Sequence, residues 1–415
     1  MNGKKPQLRF AGFEEDWEQK KLGEVCISFD YGLNVASKEF DGINKYIRIT
    51  DIDDETRKFL MTDITSPNCD IKLVDNYRLQ KGDIVFARTG ASVGKTYIYK
   101  ENDGIIYYAG FLIKAKVKND IYSEFIFYTT LTKHYEKFIN ITSQRSGQPG
   151  VNAQEYSQFE FFIPWYEEQK KIGIYFTYLD NFINMHQSKY DKLTNIKRAM
   201  LEKMFPKNGA DVPEIRFKGF SDAWEWRKLG ELVDRVVRKN TNNESSLPLT
   251  ISAQYGLVDQ VTYFNNRVAS HDVSNYYLVL QGEFAYNKST SDGFSFGAVK
   301  RLDLYEKGVL STLYIVFALK NPIKTNSDFM TVFFDTNRWH KGVSERAAEG
   351  ARNHGLLNIS AEDFFDIDIQ IPKSENEQAK IGTYFYNLDK LIKLHQCKLE
   401  KLKNIKKACM EKMFV

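Results

Sequence analysis

The stretch Arg88-Thr89-Gly90-Ala91-Ser92-Val93-Gly94-Lys95-Thr96 packs glycines, hydroxyls and two cations into one short loop. Glycines let a backbone approach an anion closely, and such side chains donate hydrogen bonds to it. A nucleotide-binding P-loop needs four residues between its glycines and then a helix whose N-terminus receives the phosphate. Here three intervene, and Tyr97-Ile98-Tyr99 alternates as a strand does. Nucleotide hydrolysis through Gly90 to Thr96 is therefore the rival reading. The leading one gives Arg88, Thr89, Ser92 and Lys95 to DNA phosphates or base edges.

A second polar, glycine-rich stretch runs from Ser143 to Asn152 and contains Gln144, Arg145, Ser146, Gln148 and Asn152. Gln, Asn and Arg are the side chains that make bidentate contacts with adenine and guanine edges. The second half of the chain carries stretches in matching places with different letters. Asn287, Lys288 and Ser289 parallel the first loop, and Arg346, Arg352, Asn353 and His354 parallel the second. For any one of these residues, an ordinary solvated loop position is the competing assignment.

These loops belong to a chain that repeats itself. Leu8-Arg9-Phe10 to Glu24 returns as Ile215-Arg216-Phe217 to Glu231, sharing R-F-x-G-F, a tryptophan (Trp17 or Trp224) and K-L-G-E. Glu168 to Phe205 returns as Glu377 to Phe414 with about 23 of 38 positions identical. A repeat this long is a duplicated domain-plus-helix unit and not a solenoid. Between the copies, Val25 to Phe162 and Leu232 to Gln370 share length but little sequence: the mounting is copied and the payload is not.

The copied C-terminal segments read as helices. Phe176, Leu179, Ile183, His186 and Leu193 step by fours and threes, and Phe385, Leu388, Ile392, His395 and Leu402 keep that step in the second copy, the pattern of a coiled-coil seam. The two histidines are read as setting register at the seam and not as metal ligands. Thirty-eight helical residues extend about 57 Å, longer than the core of a small domain needs. Equivalent halves, with the chain ends in equivalent phase around the breaker-rich linker Pro206 to Pro213, predict a pseudo-two-fold, circular arrangement with antiparallel helices. The variable parts alternate or run apolar as strands do at Lys45 to Ile49, Asp83 to Ala87, Leu249 to Ile251, Glu283 to Tyr286 and Tyr314 to Phe317. The fold class expected is α+β: two strand-rich domains separated by two long antiparallel coiled-coil helices. The boundaries expected are 1–162 and 207–370 for the domains, with 163–206 and 371–415 for the helices.

Composition narrows the class. A hydrophobic fraction of 42% with 27% charged residues is that of a globular protein, and no apolar run approaches a membrane span of about 20 residues. The start is polar, without the apolar stretch of a secretory signal, and a cytoplasmic location is expected. Four cysteines form no close pair and match no zinc spacing with the six histidines, so no metal site is expected. The net charge of +4 permits contact with nucleic acid, but affinity would need help from partners.

Taken together, the R-F-x-G-F and K-L-G-E openings, G-D-I-V-F-A-R-T-G, the I-P stops and the E-Q-x-K-I-G-x-Y-F helices resemble the specificity subunits of type I restriction-modification systems. The likeness covers essentially the whole chain, with only a loose version of the loop at Gly282 to Lys288. It implies a non-catalytic subunit with two target-recognition domains, each reading half of a split site in double-stranded DNA. It also implies that the helices dock two copies of a modification subunit carrying S-adenosylmethionine. Restriction subunits would supply ATP- and Mg-dependent translocation and cleavage. In keeping with that division, the chain has no N-P-P-Y or D-P-P-Y methylation motif and no cofactor of its own is expected. A specificity subunit of another restriction class, and a coiled-coil adaptor without a DNA role, stand as alternatives.

Overall fold

The computed structural model describes residues 5–207, 209–252, 255–290, 293–347 and 357–415. The chain forms two units, Met1–Gln187 with Cys397–Val415, and Ser188–Gln396.

In the first unit, four antiparallel strands lie in the order Cys26–Tyr31, Leu112–Val117, Ile84–Ala87, Thr96–Ile98. Ile84 to Ala87 is buried at every position because alternate side chains enter different cores. Ile84 and Phe86 pack with Trp17, Phe125 and Tyr156, while Val85 and Ala87 pack with Ile47, Tyr97 and Leu112. That explains why this strand reads as a continuous apolar run. The second unit repeats the order with Val233–Arg235, Ile315–Leu319, Phe284–Asn287 and Ala298–Arg301. Glu18–Lys21 pairs with Glu160–Ile163, and Glu225–Lys228 with Asp368–Ile371. The copied frame thus reaches deep into segments whose sequences have diverged. The units differ in their smaller sheets. The first pairs Lys45–Ile47 with Ile106–Tyr108 in parallel, whereas the second carries the antiparallel hairpin Leu249–Ser252 and Gly256–Asp259.

Two helices of 38 residues, Tyr166–Lys203 and Glu375–Lys412, each contribute to both units. Their repeated motif has a physical task at nearly every letter. Glu168 and Glu377 are buried and accept forked hydrogen bonds from Arg9 (2.7 and 2.8 Å) and Arg216 (2.6 and 2.8 Å). The Gln169 amide donates to the Pro164 carbonyl, and its oxygen accepts from the Tyr122 backbone; Gln378 does the same with Pro372 and Asn326. A Cβ on Gly173 would lie 2.6 Å from the Tyr122 ring, and one on Gly382 2.8 Å from the Phe329 nitrogen. Only glycine lets each helix lie this close to its domain.

The helix ends are equally shared. Phe205 lies against Trp224, Phe329 and Phe385 in the second unit, and Phe414 against Phe125 and Phe176 in the first. Lys406 bonds Asp180 and Cys409 touches Tyr175, while in the other unit Lys197 bonds Asp389. Within each unit, then, the start of one helix meets the end of the other, and the two run antiparallel. Phe176, Leu179, Phe385 and Leu388, expected on a two-helix seam, belong to the domain cores as well. Leu193 and Ile392 pack on the second core and Leu402 on the first; Ile183, His186 and His395 are half-buried.

Candidate nucleic-acid interface

The two glycine-rich loops of the first half, far apart in the chain, meet in space. Thr89 and Gly150 form a bridge, the Gly90 N–H donates to the Pro149 carbonyl at 2.9 Å, and the Val151 N–H donates to the Arg88 carbonyl at 2.9 Å. Gly90 and Gly94 adopt φ of +69° and +82°, in the left-handed region that favours glycine. A Cβ on Gly94 would also sit 2.7 Å from Ile139. The Gly94 N–H donates to the Tyr156 hydroxyl at 3.2 Å, and that hydroxyl donates to the Ala87 carbonyl at 2.7 Å. After one tight turn at Gly90–Ser92 the chain enters the strand Thr96–Ile98. No helix N-terminus follows the loop, so the arrangement that would receive a nucleotide phosphate is absent here.

The candidate side chains sort into two groups. Ser92 is buried, and Lys95 is largely buried and paired with Asp54 at 2.5 Å. Arg145 forks onto Glu155 at 2.5 and 2.7 Å and also donates to the Thr142 and Gln144 carbonyls. Asn152 caps the helix Ala153–Ser157 through a reciprocal box with Glu155. These four first of all hold the loops in shape. Gln144, Ser146 and Gln148 are exposed on the outer loop, with Arg88 and Thr89 half-buried beneath it.

The second unit makes an equivalent join between Lys288 and Leu357. Lys288 follows the strand Phe284–Asn287 as Arg88 follows Ile84–Ala87; its carbonyl accepts from the Leu357 N–H at 2.9 Å, and its ammonium donates to the Ile359 carbonyl at 3.4 Å. The Asn287 oxygen accepts from the Ser289 N–H at 3.0 Å, and Ser289 is exposed. Arg346 is committed to Asp366 at 2.9 Å and to that residue's carbonyl. Hydrogen bonds from Arg346 and Lys228 hold the Asp366 carboxyl below its ordinary range. Arg352, Asn353 and His354 lie outside the described residues.

Two residues of this surface escape a reading of the sequence. The Arg88 guanidinium lies 5.0 Å from the centre of the Tyr31 ring, and Tyr31 is 45% exposed. Phe111, whose carbonyl accepts from the Arg88 N–H, is 58% exposed. Tyr31 ends the strand Cys26–Tyr31 and Phe111 immediately precedes Leu112–Val117, and only the pairing of distant strands brings them beside the loop. Among the described residues, no group of three His, Cys, Asp or Glu side chains is gathered as a metal site.

Comparison with known proteins agrees with this duplicated architecture. The family described as "Type I restriction modification DNA specificity domain" matches twice, over residues 14–195 and 222–404, and the chain belongs to that family. The "Type I restriction enzyme MjaVIII specificity subunit" of Methanocaldococcus jannaschii is 25% identical over 228 residues, 53% of this chain and 50% of its own length. The "Type I restriction enzyme HindI specificity subunit" of Haemophilus influenzae is 26% identical over 208 residues, 49% of this chain and 43% of its own. The chain spans about half the length of the curated relatives it matches. The crystal structure of the type I restriction-modification system S subunit from M. genitalium shares the fold, with a TM-score of 0.66 over 99% of both chains at 13% identity.

Proposed function

We propose that this chain is the sequence-specific DNA-binding subunit of a type I restriction-modification complex, without catalysis of its own. Residues 1–162 and 207–370 each read one half of a bipartite site. The helical segments 163–206 and 371–415 set the gap between the halves and dock two copies of a modification subunit. S-adenosylmethionine belongs to those partners, and ATP and Mg to restriction subunits. A cytoplasmic location fits such a complex; among the described residues, no helix is long and apolar enough to cross a membrane.

One observation carries the reading. In both units the residue after the same frame strand, Arg88 or Lys288, accepts through its carbonyl from the returning chain at Val151 or Leu357, yet the sequences of the flanking loops differ. Identical scaffolds with unlike loop chemistry are what two readers of two different sequences require. Phosphate contacts and the partner subunits would supply most of the affinity, and loop side chains the discrimination.

Selection of bound duplexes from a random library, with the modification partner present, tests this. The expected enriched motif has two specified parts separated by unspecified bases. Failure to enrich any motif in that complex removes the reading.

A further inference from the structure

The repeated helices meet at a polar junction that is itself repeated, once in each unit. Asp180 and Lys406 lie 2.6 Å apart in the first unit, and their repeat equivalents Asp389 and Lys197 lie 2.7 Å apart in the second. The domain side of the junction is not repeated. In the first unit, the second oxygen of Asp180 accepts from the hydroxyl of Tyr128 at 2.8 Å, a residue 2% exposed on the domain helix Ser123–Thr129. In the second, it is Lys197 that reaches the domain, donating to Asp335 at 3.2 Å, and Asp335 is held by Lys300 at 2.7 Å.

The equivalence of positions is fixed by contacts. Tyr122 and Asn326 both donate backbone N–H groups to the helix glutamines, and Phe125 and Phe329 both touch the repeated tryptophan. Counting on from those anchors, Tyr128 stands where the second domain has Val332, and Leu131 where it has Asp335. By hydrogen bonds, one domain is thus tied through the aspartate of the helix pair, with Lys406 also 5.7 Å from the Tyr128 ring centre, and the other through its lysine. Each junction borders a cleft between helices and domain, lined by Asp180, Ile183 and Lys406 in the first unit and by Asp389, Ile392 and Lys197 in the second.

Partly buried ion pairs add little net stability, and their best-attested use is to select one arrangement over its near neighbours. Apolar packing of Phe176 or Phe385 tolerates small rotations; a hydrogen-bonded carboxylate does not. We infer that Tyr128 and Asp335 are positioning residues, each keying its own reading domain to the common helix pair so that base-contacting loops are presented at one angle. The inference rests on the function proposed above and adds residues outside the two loops.

The test uses the chain assembled with its modification partner. Methylation rates are measured on the cognate duplex and on duplexes mismatched in one half-site or the other. Tyr128→Phe is expected to lower discrimination roughly tenfold, the scale of one hydrogen bond to a charged group, in one half-site only. Asp335→Asn should do the same in the other half-site only. Hydrogen exchange at Ile84–Ala87 and Phe284–Asn287 checks that the cores persist, and Lys300→Gln replaces Asp335→Asn if they do not. Equal effects on both half-sites, or none, overturn the inference. A parent complex with no bipartite preference would instead overturn the function on which it rests.

Discussion

Asn152 and Gln148 share a loop and both carry amide side chains, yet the structure gives them different work. Asn152 accepts from the Glu155 N–H at 2.9 Å as a helix cap. Asn152→Ala should therefore cost about 1 kcal/mol of stability, read as a lower urea midpoint. Gln148 is exposed at the loop tip, so Gln148→Ala should leave that midpoint unchanged while weakening base discrimination by about 1–3 kcal/mol in competition binding. The residue types that make bidentate base contacts were legible in the sequence. Their division into shape-holding and outward-facing was not, because Glu155, Asp54 and Asp366 become partners only through folding. Glu168 makes the same point for the frame. With Arg9 forked onto it in a buried setting, Glu168→Gln should lose about 3–5 kcal/mol. The Arg9→Met, Glu168→Met pair should recover most of that loss, measured in one denaturation series.

The elements were legible to very different degrees. A period of fours and threes announced the long helices, and copying of the segment announced their importance. The strands are mostly three to six residues long, and neighbours in the sheet come from distant parts of the chain, so no local pattern reveals the shared order of the two four-stranded sheets. The seam was visible as periodicity, but its first members serve the domain cores too, since a helix start must pack against its own domain before meeting the other helix. If the helices set the gap between half-sites, inserting four residues in register in both lengthens them by about 6 Å. The unspecified gap in the methylated motif should then widen by about two base pairs at 3.4 Å each; an unchanged gap, read by methylome sequencing, contradicts that role.

For the whole molecule, duplication is the governing fact. The Leu8 N–H donates to the Lys412 carbonyl at 2.9 Å just as the Ile215 N–H donates to the Lys203 carbonyl at 2.9 Å. One of these contacts is bridged by the linker through Pro206 and Pro213 and the other joins segments remote in sequence. A permuted chain, closed by a copy of that linker and opened between Gly209 and Ala210, should fold with a Tm within about 5 °C of the parent, measured by scanning calorimetry. The frame was readable from the repeat; under the proposed function recognition rests with loop side chains, and a sequence alone does not pair those with bases. The most direct measurement is to sequence the methylated sites in a host that carries this chain with its modification partner. A divided motif, two specified halves at a constant spacing, is expected; a single contiguous motif contradicts the proposed function.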